Sequence, residues 1–89
     1  MFEWDEDKSE VTHRLRGFDF AYAALIFESD VLEFDDTRRL YGERRVCAIG
    51  QIDTNVLFVT YTWRGLVRRI ISARLANRKE RNVYHQAFG

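Results

Sequence analysis

The sequence contains no proline, a single cysteine and no long apolar run. Without proline it has no rigid linker and no proline-rich recognition segment. Cys47 alone cannot form a disulfide framework or a cysteine-based metal site, and its apolar surroundings predict a buried thiol. Apolar runs such as residues 21–27 are too short to span a bilayer, and acidic and aromatic residues at 3–7 do not form a signal peptide. These absences favour a cytoplasmic protein without a membrane partner.

The motifs of several enzyme classes are absent as well. The five glycines are scattered, so there is no glycine-rich phosphate loop. His13 and His85 stand in no metal-binding spacing and are more typical of surface residues. No nucleophile–base motif of the acyl-transfer enzymes is present. We therefore expect neither a metal site nor a cofactor.

The chain does carry a marked division of charge. Residues 1–36 hold eleven acids and three bases, a net charge of −8, and residues 37–89 hold eleven bases and three acids, a net charge of +8. This asymmetry suggests a basic surface for an anionic partner, nucleic acid first among the candidates. The alternative is that the two halves neutralise each other across the fold.

Length and hydrophobic periodicity predict one small α+β domain over residues 1–89. Capping residues predict a helix from Asp5 to about residue 16, a second from Asp19 to about 27, and a last one after Asn77, over 78 to about 86. Strands are predicted at 31–34, 45–52, 56–63 and 66–73, with a polar loop at 35–43 and a short strand or extended lead-in at 2–4. The expected fold is an antiparallel sheet of three to four strands with the helices against one face.

The basic segment 68–84 holds the candidate chemistry. Strand alternation predicts one row of side chains on a common face: Leu66, Arg68, Ile70, Ser72 and Arg74. On the last helix, Arg81 neighbours both Arg78 and His85, and Glu80 neighbours Tyr84. Guanidinium groups bind phosphate bidentately and stabilise charge on a developing phosphorane. The alternative is a solvated basic face without a site.

The chain resembles the BrnT family of bacterial type II toxins. The matching segments are FEWDEDK at 2–8, GFDF at 17–20, YGERRVCAIG at 41–50 and RIISARLANRKERNVY at 69–84. The resemblance covers nearly the whole chain in the family's order. It implies a RelE-like fold and a metal-independent ribonuclease that arrests translation. It also implies a BrnA-type antitoxin with a ribbon-helix-helix domain, through which the complex reaches operator DNA.

Individual residues carry this resemblance. Trp4, Asp5 and Lys8 match the opening motif. The closing motif is matched by Ser72, Arg74, Arg78, Glu80, Arg81 and Tyr84. Family members usually carry Lys-His before the glycine that ends the first helix, whereas this chain has Leu15 and Arg16. Arg16 can hold a phosphate but cannot act as a general base near neutral pH.

The leading interpretation is a ribonuclease toxin that positions RNA while the ribose 2′-hydroxyl attacks the adjacent phosphate. Arg74 and Arg81 are expected to contact the phosphate in the transition state, and Glu80 to act as base or as an orienter of arginine. The expected RNA-binding residues are Arg64, Ser72, Arg78, Lys79 and Tyr84. Tyr84 is a candidate for stacking on a base.

Two alternatives remain open from the sequence. The Leu15-Arg16 departure favours a degenerate toxin that only binds its antitoxin. A topoisomerase poison is the other, since RelE-like folds also host gyrase inhibitors, and fold alone does not separate these activities.

Overall fold

The computed structural model describes residues 1–38 and 40–89. The elements in chain order are β1 (Phe2–Trp4), α1 (Glu6–Arg16), α2 (Phe20–Ala23), a 3₁₀ helix (Ala24–Glu28), β2 (Val31–Asp35), β3 (Val46–Ile52), β4 (Asn55–Arg64), β5 (Val67–Leu75) and α3 (Arg78–Phe88). The strands form one sheet in the order β1-β5-β4-β3-β2. β1 runs parallel to β5, and the other neighbours are antiparallel.

The α+β class is confirmed, but the arrangement differs from the RelE-like layout expected from the sequence. The sheet has five strands and is mixed, because residues 2–4 form a strand that pairs with the distant β5. Three residues carry too little periodicity to reveal such a pairing. The predicted polar loop at 35–43 begins after β2 ends at Asp35, and Arg39 within it lies outside the described residues.

The predicted helix boundaries are set by the expected capping residues. The Asp5 carboxylate accepts hydrogen bonds from the backbone N–H groups of Asp7 and Lys8, and Gly17 ends α1 at φ 84°. The predicted second helix, however, is α-helical for only four residues and continues as a 3₁₀ helix. This segment packs so closely on β3 that a Cβ at Gly50 would lie 2.6 Å from Ile26 Cβ. Tertiary packing therefore overrides helix propensity here.

The helices cover both faces of the sheet, so the prediction that they share one face was wrong. The first face, which carries Val59 and Tyr61 of β4, packs against α2 and the 3₁₀ helix through Phe20 and Ile26. The opposite, second face packs against α3 through Tyr84. Both faces need cover because β3 and β4 are apolar on both sides. Cys47 is buried on the second face, as predicted, at 1% exposure.

A β-bulge in β5 decides which of its arginines point together. Ser72 pairs with Thr60 and Ile70 pairs with Tyr61, so Ile71 has no partner residue in β4. The extra residue reverses the alternation of side chains along the strand. The predicted single row is therefore wrong: Arg68 and Ile70 lie on the first face, and Ser72 and Arg74 on the second.

Candidate active site

The end of the second face that α3 leaves uncovered forms a hollow of about 470 Å³. Its lining residues come from four parts of the chain: Lys8, Asp36, Arg38, Tyr41, Arg45, Thr60, Ile71 and Ser72. Lys8 lies on α1, Thr60 on β4 and Ser72 on β5. The remaining polar residues belong to the connection between β2 and β3. The hollow therefore combines three cations with one acid.

That acid, Asp36, is engaged in holding Arg38. Its side chain is 1% exposed, and its carboxylate accepts hydrogen bonds from Arg38 Nε and Nη2, both at 2.8 Å, and from the Tyr41 hydroxyl at 3.1 Å. The Arg38 guanidinium holds the pKa of Asp36 well below its usual range. The pair fixes the Arg38 guanidinium while leaving that side chain 68% exposed.

Arg45 is a second cation held in place by its surroundings. Its guanidinium carbon lies 3.9 Å from the centroid of the Tyr41 ring, and its Nε lies 3.5 Å from Glu43 Oε2. Stacking of this kind stabilises a guanidinium while leaving its edge donors available. Arg45 Nε is buried and has no hydrogen-bond partner among the described residues. Because this nitrogen is buried beside Glu43, it is the terminal nitrogens of Arg45 that are left to contact an anionic ligand.

Arg74 and Glu80 form a bidentate ion pair between β5 and α3. Nη1 donates to Oε1 at 2.8 Å and Nη2 donates to Oε2 at 2.9 Å. Glu80 also accepts from the backbone N–H of Asn77 at 2.9 Å, which completes a capping box at the start of α3. The guanidinium carbon of Arg74 lies 4.1 Å from the centroid of the Phe58 ring.

This pairing changes what Glu80 can do chemically. Hydrogen bonds from Arg74 lower the pKa of Glu80, and the same bonds raise the pKa of Arg74. A carboxylate with a lowered pKa and three donors on its two oxygens is a poor proton acceptor near neutral pH. Of the two roles that the sequence left open for Glu80, the geometry favours the orienter of arginine.

Arg74 extends the cationic surface of the hollow. It lies two residues from Ser72 on the same face, about 7 Å along the strand. The Glu80 hydrogen bonds raise the pKa of Arg74, and the positive charge of Arg38 opposes that rise while adding to the lowering of the pKa of Glu80, so Arg38 lies close enough to interact with both groups. We call this surface the basic hollow and define it by Lys8, Arg38, Arg45, Thr60, Ser72 and Arg74.

The basic hollow lies within the part of the chain that a known family matches. The family described as the ribonuclease toxin BrnT of type II toxin–antitoxin systems matches residues 4–80. The chain belongs to the BrnT family. The resemblance stated from the sequence is thereby confirmed, and with it a place among bacterial ribonuclease toxins that are paired with a cognate antitoxin. No curated protein matches the chain significantly.

In this BrnT chain, α3 places its predicted site residues in three different environments. Arg78 and Lys79 are exposed in the first turn. Arg81 is exposed, but its Nη1 donates to the Ala76 carbonyl at 2.7 Å and so braces the β5–α3 connection. Tyr84 is 5% exposed, and its hydroxyl donates to the Asp30 carbonyl at 3.0 Å. Its ring belongs to the core, so it offers no exposed face for a base to stack on.

Arg64 is distant from the other predicted residues. It lies on the second face at the far end of β4, with Nη2 3.6 Å from Glu43 Oε1. It lies six positions along β4 from Phe58, on which Arg74 stacks, and so about 20 Å along the sheet from Arg74. The structure therefore brings Ser72, Arg74 and Glu80 together and leaves Arg64 outside that group.

Sequence reasoning missed most of the basic hollow. Lys8 matched the opening motif but received no role, and no sequence pattern assigned a role to Arg38, Arg45 or Thr60. The signal for Lys8 was its motif position. No comparable signal exists for Arg38, because the placement of a loop residue is set by long-range packing and not by periodicity.

The donor set of the basic hollow suits anions and not metal ions, since ammonium and guanidinium groups donate hydrogen bonds and carry positive charge. In the described ranges, no group of three or more His, Cys, Asp and Glu side chains is placed to hold a metal ion. None of the helices in those ranges has the length and apolar character needed to cross a membrane.

Proposed function

We propose that this BrnT-family chain is an endoribonuclease that cleaves RNA without a metal ion and thereby inhibits translation. The observation that carries this proposal is a hollow lined by three cations, Lys8, Arg38 and Arg45, with Arg74 two residues from Ser72 on the same face of the sheet. Phosphodiester backbones are the anions that such a surface recognises in a ribonuclease.

The substrate supplies the nucleophile in this mechanism. The ribose 2′-hydroxyl gives its proton to solvent and attacks the adjacent phosphorus, and a 2′,3′-cyclic phosphate forms. The bond to the 5′-oxygen of the next nucleotide breaks, and that oxygen takes a proton from solvent to become a 5′-hydroxyl. Negative charge increases on the phosphorane oxygens during the attack. Donors that are already fixed in place stabilise that charge without reorganising, which is the largest contribution open to such a site.

Arg74 is the residue that we assign to the phosphorane. Glu80 and the Leu75 carbonyl occupy three of its N–H donors. An arginine has five donors, so Nε and one hydrogen of Nη2 remain for a phosphate. The ion pair with Glu80 and the contact with Phe58 hold the guanidinium in one orientation. Glu80 thus acts as a positioning residue.

The RNA backbone is proposed to run from the basic hollow across the start of α3. Ser72 lines the hollow, and Arg78 and Lys79 follow directly after the Asn77 cap, beside Glu80. Arg81 adds positive charge on the next turn. Arg64 extends the basic surface toward the β4–β5 turn, and Tyr84 contributes by holding α3 against the core.

A cleavage assay in the presence of EDTA tests this proposal. Purified protein is mixed with RNA, with and without ribosomes, and the product ends are mapped. We expect cleavage in EDTA, with 2′,3′-cyclic phosphate and 5′-hydroxyl ends, and no cleavage after a single 2′-deoxy substitution at the cut position. Loss of cleavage in EDTA, or equal cleavage of the 2′-deoxy substrate, would overturn the mechanism.

The family resemblance further supports a BrnA-type antitoxin with a ribbon-helix-helix domain as the partner. In that arrangement the complex binds operator DNA only through the antitoxin. Gel-shift assays with operator DNA test this: the complex is expected to bind, and the toxin alone is expected to leave the DNA unshifted.

A further inference from the structure

An apolar groove lies directly beside the basic hollow. It has a volume of about 330 Å³ and runs between α1 and the outer edge of β5. The groove exists because β1 pairs with β5 only over Arg68–Ile70. Beyond Ile70, no strand of the described chain pairs with that edge, and α1 stands across the gap. We call this feature the α1–β5 groove.

Two exposed aliphatic side chains lie on its α1 wall, which also carries Asp7, Lys8, Thr12 and Arg16. Leu15 is 77% exposed and Val11 is 42% exposed. They are four residues apart on the helix and therefore lie on one face. Adjacent exposed aliphatic residues that line a groove are typical of a docking surface, unlike single apolar residues scattered over a surface.

The groove and the basic hollow form one continuous surface. Both are lined by Lys8, Ile71 and Ser72. An occupant that fills the two together must place apolar side chains next to Val11 and Leu15 and negative charge next to Lys8. A protein segment with apolar residues followed by acidic residues meets this requirement.

A nucleobase fits the groove less well. Bases bind proteins mainly by stacking on exposed aromatic rings. The aromatic ring that lines the groove belongs to Phe20, which is 1% exposed. The remaining apolar wall is aliphatic, so it offers a base little stacking area.

We propose that the α1–β5 groove docks a segment of the cognate antitoxin, with its apolar side chains against Val11 and Leu15 and its carboxylates in the basic hollow. The inference rests on the proposed function in one respect, namely that the cations covered by the antitoxin are the ones that bind the RNA backbone. Docking in the groove then neutralises the toxin by competition for Lys8 and its neighbouring cations.

Binding of the full-length cognate antitoxin to toxin variants, measured by calorimetry, tests the proposal. Leu15→Ala should weaken binding about 10-fold, and Leu15→Glu by about 100-fold or more, because it also repels acidic side chains. Val11→Glu on the same helix face should act like Leu15→Glu. The matched control is Leu66→Glu, since Leu66 is 90% exposed in the β4–β5 turn, away from the groove. The control should stay within about threefold of wild type.

RNA cleavage by the same variants, without antitoxin, separates the two occupants. Leu15→Glu should cleave within about threefold of the wild-type rate, because Leu15 lies outside the basic hollow. Unchanged antitoxin binding by both Leu15→Glu and Val11→Glu would overturn the proposal. A raised KM for RNA with unchanged antitoxin binding would identify the occupant as a nucleobase, and this too would overturn it. An inactive wild-type protein would contradict the ribonuclease proposal but would leave the binding measurements fully interpretable.

Discussion

The two terminal nitrogens of Arg74 each donate to a different carboxylate oxygen of Glu80, at 2.8 and 2.9 Å. The same carboxylate completes the capping box with Asn77. One residue thus orients the guanidinium on β5 and fixes the start of α3. Cleavage, acid stability and helix capping should therefore respond together when Glu80 is changed.

Glu80→Gln should reduce the pH dependence of stability. The pKa of Glu80 in the folded protein is lowered below its ordinary value of 4.5, mainly by the hydrogen bonds from Arg74. The ionised Glu80 side chain therefore contributes to the free energy of unfolding above pH 4.5, and this contribution is lost as the pH falls through its lowered pKa. We expect the variant to be less stable by about 1 kcal/mol at pH 7, since the pair is partly exposed, and to approach the wild type once the pH falls below the lowered pKa of Glu80.

Urea unfolding at several pH values measures this effect. Glu10→Gln is the matched control, because Glu10 is exposed on α1, and it should leave the difference from wild type near zero at every pH. A stability difference for Glu80→Gln that stays constant between pH 7 and pH 2 would contradict the lowered pKa.

Glu80→Gln should also slow cleavage without changing the shape of the pH–rate profile. A neutral amide holds Arg74 less firmly, so we expect a loss of about 10-fold to 100-fold in rate. A general base would give a different result, since its removal abolishes an acidic limb of the profile. Disappearance of such a limb in Glu80→Gln would assign Glu80 as the base instead.

Lys8→Ala should weaken RNA binding and lower its salt dependence. If Lys8 contacts one phosphate in the basic hollow, the slope of log K against log salt should fall by about one unit. The matched control is Arg14→Ala on the same helix, because Arg14 does not line the basic hollow. Fluorescence anisotropy titrations between about 50 and 200 mM salt measure this slope. Equal slopes for wild type and Lys8→Ala would show that Lys8 does not contact a phosphate.

Expression of the chain alone should arrest growth, and co-expression with its antitoxin should restore growth. The BrnT family match motivates this expectation. Labelling of nascent protein and DNA identifies the arrested process, and we expect protein synthesis to stop first. Normal growth at high levels of folded protein would favour the degenerate toxin, and an early arrest of replication would favour the topoisomerase poison.

The helix ends could be predicted from the sequence, because they depend on capping residues that bond to close neighbours in the chain. The strand pairing and the bulge could not, because they depend on residues that are distant in the chain. Asp5, Gly17 and Asn77 act as caps through bonds to residues a few positions away. The pairing of β1 with β5 joins residues more than 60 positions apart. The bulge at Ile71 follows from how β5 meets β4, so strand alternation wrongly placed Arg68 on the same face as Arg74.

The candidate site shows the same division. Ser72, Arg74 and Glu80 could be predicted as site residues from the sequence, because they lie within nine residues of one another in a motif. Arg38 and Arg45 were not, because their positions depend on Asp36 and Tyr41 in an irregular connection. Tyr84 lies in the same motif but has a structural role in this fold, since its hydroxyl ties α3 to Asp30.

The most direct test of the account is single-turnover cleavage by Arg74→Lys. Lysine keeps the positive charge but loses the planar fork of donors. Ribosomes are added if the wild type requires them. We expect the cleavage rate to fall by about 10²–10³-fold, which is the usual loss for one transition-state donor. RNA binding, antitoxin binding and the melting temperature should change little. Wild-type cleavage by Arg74→Lys would contradict the account. A loss of cleavage matched by unfolding would contradict it as well, because Arg74 would then be a structural partner of Glu80 and not a residue that acts on the phosphate.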